Sequence, residues 1–303
     1  MNVIDMSMRN KINVDNAIIL AAGFSSRFVP LCFDIPKGLL PVMGDTLIER
    51  QIKQMHEVGI DDITIITGAY REQFDFLQKK HNVNLIYNSD YSFKNNFSSV
   101  YTAREILKNT IISSSDLFFP GNIFENTAEH SYFTSVYING NTNQRTLTLD
   151  NTDRIIKTVY GGCDTWITFG GLAFLTAELS ETLIEFIEPV YDDPRYANKY
   201  WVDFHDEHIE ELPMWIKRLN SGDTVEFNTL ESLWDFDKNF CACEVSITMQ
   251  KICSELSLNY ERQIKNIKPI MEGNSAIGCY FNYNNNSYEC FCKNKFDLQR
   301  KIN

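Results

Sequence analysis

Asn16-Ala17-Ile18-Ile19-Leu20-Ala21-Ala22-Gly23-Phe24-Ser25-Ser26-Arg27 is the stretch on which the fold turns. Its first half, Asn16 to Leu20, is a short apolar run that empties into small residues, the pattern of a buried strand. Its second half stands where open parallel sheets take their ligands, beyond the carboxyl end of a strand. Small residues there let backbone N–H groups approach phosphate oxygens, and Ser25 and Ser26 add hydroxyl donors. Leu20, Ala21, Ala22, Gly23, Phe24, Ser25 and Ser26 are therefore expected to cradle phosphate, with Arg27 supplying positive charge.

About ten residues on, Pro36-Lys37-Gly38-Leu39-Leu40 offers a single Lys held by a preceding Pro, a fixed cation for the same phosphates. No GK[ST] follows the glycine, so this is not a Walker loop and γ-phosphoryl transfer is disfavoured. Downstream, Asp45 to Val58 spaces Leu47, Ile48, Ile52 and Met55 at helical intervals, Gly59 ends the run, and DDITIITG reads as a second strand. Further helices are expected near Arg71 to Lys80 and Val100 to Leu107, with strands at VNLIYN and at TIISSSD ending on Asp116. Such alternation predicts an α/β fold with a doubly wound, mostly parallel sheet. From Tyr132 to Thr176 the segments YFTSVYI, RTLTLD, RIIKTVY and WITFGGLAFL carry no helical pattern, predicting an antiparallel extension over the substrate. Helices from Leu179 to Tyr191 and from Trp201 to Leu212 close this unit near Asp237.

The chain has 303 residues, 44% of them hydrophobic, enough for one core of ordinary domain size and a smaller appendage. Against 40 Asp and Glu stand 28 Lys and Arg; the net charge of -12 argues against nucleic acid or an anionic membrane as partner. Apolar runs fall short of a membrane span, and Met1 to Asp15 lacks the apolar core of a signal peptide, so a cytoplasmic location is expected. In that compartment the eight cysteines are expected to be free thiols, including the CxC pairs Cys241/Cys243 and Cys290/Cys292.

Residues 16 to about 237 resemble bacterial CTP:phosphocholine cytidylyltransferases, a branch of the sugar-nucleotide pyrophosphorylase-like nucleotidyltransferases. The resemblance runs through AIILAAGFSSRF, IPKGLLPV, TLIERQI, ITIITGAYREQFDFL, LIYNSDYSFKNNFSSVY, ISSSDLFF, YFTSVY and NKYWVDFHDEHIEEL. It implies a Rossmann-like nucleotidyltransferase domain that transfers CMP from CTP to phosphocholine with release of pyrophosphate. Lys37 and Arg27 would be catalytic, Asn95 and Ser99 would lie near cytosine and ribose, and Asp116 would hold Mg²⁺. A second metal carboxylate is expected in the YWVDF block, where the family reads YWD; the inserted Val202 moves the acid to Asp203.

Recognition of a quaternary ammonium calls for aromatic faces, and Tyr191, Trp201 and Trp166 are the candidates, Trp201 first. Where the family places a Trp, this chain has Arg145, which would repel a trimethylammonium or bind an anionic part of the acceptor. 2-Aminoethylphosphonate or another small phosphorylated amine is thus the alternative acceptor, and a catalytically silent nucleotide-binding protein the alternative in another class. Residues 238–303 are expected to form a small α+β appendage. Within it Ile264 to Ser275 resembles the opening of a choline-kinase-like domain, cut off before any kinase catalytic residues. Self-association is left open.

Overall fold

The computed structural model describes residues 11–168, 171–293 and 295–301. The expectation for Met1 to Asp15 lies largely outside these residues, as do Phe169 and Gly170 of the WITFGGLAFL segment. Strand β1 (Asn16–Ala21) is buried along its whole length, and its neighbours send side chains alternately to opposite faces. Ile18 and Leu20 enter one core, with Phe97 and Val100; Ala17 and Ile19 enter a second, with Ile48, Ile52 and Met55. Two covered faces are the signature of a doubly wound sheet.

Helix α1 (Leu47–Glu57) starts at Thr46, whose hydroxyl accepts from the Glu49 amide. It leads into β2 (Ile63–Thr67), then α2 (Asp75–His81), β3 (Asn84–Tyr87), α3 (Phe97–Thr102) and β4 (Thr110–Ser114). Strands β4, β1, β2 and β3 pair in parallel in that order. The antiparallel extension follows as β5 (Tyr132–Leu149), β6 (Ile155–Ile167) and β7 (Leu172–Leu175), giving the order β6-β5-β7-β4-β1-β2-β3. Helices α4 (Ala177–Ile187) and α5 (Trp201–Glu207) lie beyond it, and β8 (Trp215–Leu219) runs parallel to β5.

Several boundaries differ from the sequence reading. The expected strands YFTSVYI and RTLTLD are one strand, β5, that absorbs its length through register shifts against β6. Helix α3 begins at Phe97 and gives way to a 3-10 turn at Arg104–Ile106, earlier than the expected Val100 to Leu107. Helix α5 stops at Glu207 instead of Leu212; Pro213 disfavours helical backbone at the residue before it.

After α6 (Leu230–Phe236) and α7 (Ile247–Glu255), four antiparallel strands close the chain: β9 (Lys265–Glu272), β10 (Ser275–Tyr283), β11 (Asn286–Phe291) and β12 (Asp297–Lys301). Among the described residues this sheet does not have a core of its own. Ile264, Cys279, Phe281 and Cys290 pack in one cluster with Phe28, Val29 and Leu31, the residues that follow the phosphate loop. The expected boundary at residue 237 is thus crossed by shared apolar packing.

Candidate active site

A cleft of about 680 Å³ opens at the carboxyl ends of β1 and β4. Residues Leu20 to Phe28 form one wall and Pro36 to Gly38 another. The two are tied together, because the Lys37 amide donates to Ser25 Oγ at 3.3 Å. Ser25 itself adopts a positive φ of 55°, which turns the loop. Gly38 is required by a close approach: a Cβ there would stand 2.9 Å from Ser115 Cβ. The missing side chain lets Lys37 sit against the end of β4.

Lys37 is 7% exposed and its Nζ donates to Asp116 Oδ2 at 2.9 Å. Asp116 lies just past β4, and the short strand after it, Leu117–Phe118, pairs with Val225–Glu226. That pairing brings Glu226 into the cleft, a residue the sequence reading missed. Burial, then repulsion from Asp116, raises the Glu226 pKa from its ordinary value, while Lys37 and Arg27 pull it back. Two carboxylates and two cations therefore meet beside the loop. Among the described residues no cluster of three or more His, Cys, Asp or Glu is arranged to hold a metal. A divalent ion held by Asp116 and Glu226 would have to complete its shell with phosphate and water, the manner of Mg²⁺ rather than of zinc.

Asp203, expected as the second metal carboxylate, is engaged otherwise. Its Oδ2 accepts from the Tyr200 amide at 2.9 Å, capping its own helix, and its Oδ1 accepts from the Tyr160 hydroxyl at 3.2 Å. The third helical position points the side chain back to the cap, and that hydrogen bond fixes it there. Tyr160 and Tyr200 line the cleft and are 68% and 46% exposed, so an aromatic and acidic rim stands open to solvent.

The aromatics chosen from sequence go elsewhere. Trp201 is 2% exposed and packs on Phe133 in the core. Tyr191 donates to Asp90, stacks on Tyr101 and is covered by Lys94 Nζ. Trp166 packs edge-on against Tyr137 beneath Arg218. None of the three lines the cleft. Asn95 and Ser99 do line it, and the buried Asn88, which donates to Ser99 Oγ at 3.1 Å, joins them.

Arg145 also lines the cleft and is 4% exposed. Its Nε donates to Asp206 Oδ2 at 2.8 Å and its Nη2 to Asp206 Oδ1. Burial opposes ionisation of Asp206, but the hydrogen bonds from Arg145 and His205 outweigh it and hold the carboxyl down at about 2. Among the described residues Arg145 Nη1 has no hydrogen-bond partner. A buried guanidinium nitrogen left unpaired beside a cleft is suited to a ligand oxygen.

All eight cysteines are free thiols. No helix among the described residues is long and apolar enough to cross a membrane.

Comparison with known proteins identifies the family. A family model described as a MobA-like NTP transferase domain matches residues 17–146. The choline-phosphate cytidylyltransferase of Streptococcus pneumoniae is 33% identical over 215 residues, which are 71% of this chain and 93% of that relative. The 2-aminoethylphosphonate cytidylyltransferase of Lancefieldella rimae is 31% identical over 229 residues, 74% of this chain and 93% of that relative. A solved structure of CTP:phosphocholine cytidylyltransferase from Streptococcus pneumoniae superposes with a TM-score of 0.71 at 32% identity, covering 75% of this chain and 99% of the other. The chain therefore belongs to the cytidylyltransferase family of nucleotidyltransferases built on the MobA-like NTP transferase domain.

Proposed function

We propose that the protein transfers CMP from CTP to phosphocholine, releasing pyrophosphate, in the cytoplasm and with Mg²⁺. The observation that carries the reading is the meeting of Lys37, Arg27, Asp116 and Glu226 at the mouth of the loop from Leu20 to Arg27. An anionic oxygen of the acceptor attacks the α-phosphorus in line, the bond to the bridging oxygen breaks, and pyrophosphate leaves. That oxygen already carries charge near neutral pH, so no general base is needed and catalysis rests on alignment and charge stabilisation. Backbone amides of the loop hold the triphosphate, and Lys37 and Arg27 offset charge that builds on the α-phosphate and the leaving group. Asp116 and Glu226 would hold Mg²⁺, which neutralises phosphate charge and orients the triphosphate.

On the acceptor side Arg145 Nη1 suits the phosphate, while Tyr160, Tyr200 and Asp203 suit the ammonium through aromatic faces and a carboxylate. This division also supports a second reading, 2-aminoethylphosphonate, because the rim offers hydrogen-bond acceptors that only a primary ammonium uses. Pyrophosphate release with CTP and Mg²⁺ is the test, run with phosphocholine, phosphoethanolamine, 2-aminoethylphosphonate and glucose 1-phosphate. Turnover led by phosphocholine supports the main reading, and turnover confined to primary amines supports the second. Turnover led by the sugar phosphate sinks both, and silence throughout leaves a nucleotide-binding protein.

A further inference from the structure

The turn joining β9 to β10 reaches the nucleotide cleft from 248 residues further along the chain. Ser26 Oγ in the phosphate loop donates to the Asn274 carbonyl at 2.9 Å. Met271, Gly273 and Asn274 line the same cleft as Gly23 and Ser25. Gly273 has φ +58° and a Cβ there would meet nothing within 4 Å, so the tip bends sharply and faces open space.

The placement is built into the core. Phe28, Val29 and Leu31, directly after the loop, pack with Cys279 and Phe281 of β10. Between the loop and Lys37, Asp34 Oδ2 accepts from Ser246 Oγ at 2.6 Å and from the Thr248 amide at 2.9 Å, which fastens α7 to the same segment. The tip carries little negative charge for a chain of net charge -12. Its one carboxylate, Glu272, is matched by Lys293 Nζ at 3.0 Å.

We propose that this hairpin tip is a wall of the triphosphate half of the cleft, so that the C-terminal sheet sets affinity for the nucleotide and for pyrophosphate while leaving the acceptor half untouched. The match to the pneumococcal relative takes in 93% of that protein and only 71% of this chain, so this chain carries a sizeable part without a counterpart there. The proposal rests on the reading that the cleft binds a nucleoside triphosphate, and the test separates the two.

Asn274 is exposed, so its side chain can be changed without disturbing the core. Asn274→Asp and Asn274→Lys place opposite charges beside the phosphates in the full-length protein. Asn285→Asp and Asn285→Lys, in the exposed turn at the far end of β10, make the same change in net charge away from the cleft. Dissociation constants for CTP and for inorganic pyrophosphate, both with Mg²⁺, are measured by titration calorimetry, beside the acceptor KM. A unit charge near a multiply charged ligand in a largely aqueous setting shifts binding by about three- to tenfold. The expected result is weaker binding of both ligands in Asn274→Asp, tighter binding in Asn274→Lys, no change at Asn285, and a constant acceptor KM. Unchanged affinity at Asn274, or equal effects at Asn274 and Asn285, overturns the wall. A parent protein that binds neither CTP nor pyrophosphate overturns the nucleotide reading with it.

Discussion

Replacing Lys37 with Met keeps the length of the side chain and its run past the Phe28 ring, while removing the charge. Lys37 is nearly buried, is held by the Ser25 contact at its amide, and presents Nζ to the cleft beside Asp116. A fixed cation of this kind is worth most where negative charge grows during the reaction. Loss of one such preorganised donor costs about 10²- to 10³-fold in kcat, or about 2.7–4 kcal/mol. The KM for CTP should rise less than about tenfold, because the loop amides that hold the ground-state triphosphate remain. Stability should change little. Asp116 keeps 28% of its side chain exposed, so water can replace the lost partner and the cost stays near 1 kcal/mol, below the 3–5 kcal/mol of a fully buried pair. Steady-state pyrophosphate release, with thermal unfolding to establish folding, reads both quantities. A Lys37→Met protein whose kcat lies within about threefold of the parent would refute the reasoning and leave Lys37 as a counter-ion of Asp116.

Glu226 has a raised pKa in the folded protein, so its protonated form contributes stability below the ordinary carboxylate value that is lost as pH rises through the folded value. Glu226→Gln should therefore gain in melting temperature over the parent at neutral pH without divalent ions, the gain fading as pH falls below the ordinary carboxylate value; the opposite slope would contradict the raised pKa. Asp206 runs the other way: its stabilisation is present above the unfolded value and is lost as pH falls toward about 2. Arg145→Met should cost about 3 kcal/mol by stranding Asp206, move acid unfolding to higher pH, and raise the acceptor KM at least about tenfold with the CTP KM nearly constant. Equal changes in both KM values would remove Arg145 from the acceptor side. Phe281→Ala, in the packing shared by the C-terminal sheet and the loop segment, should cost about 3–5 kcal/mol and keep a single calorimetric transition. Two separated transitions would show independent units.

The sequence was most readable where one physical demand acts on adjacent residues. A buried parallel strand needs an unbroken apolar run and a phosphate loop needs small residues after it, so Asn16 to Arg27 announced both strand and site. Lys37 was legible for the same reason, since Pro36 and Gly38 flank it as positional constraints. Glu226 was not, because a two-residue pairing with Leu117–Phe118 places it and nothing local marks such a pairing. Asp203 was read toward a metal, but the third position of a short helix is also where a carboxylate satisfies the helix cap, and the nearer partner took it. Trp201 and Tyr191 were chosen because aromatic faces bind ammonium. Burying them in packing is worth more, and the exposed rings of Tyr160 and Tyr200 were left at the cleft. The place of the C-terminal hairpin at the cleft escaped because the contact that sets it there spans most of the chain.

Transfer of CMP to a phosphorylated amine is tested most directly by ³¹P NMR of a reaction containing CTP, Mg²⁺ and phosphocholine. The expected spectra show loss of the phosphocholine singlet, two coupled doublets of an unsymmetrical diphosphate, and a pyrophosphate signal, all absent with Lys37→Met over the same time. CTP consumed to CMP or CDP with the phosphocholine singlet intact would contradict such transfer.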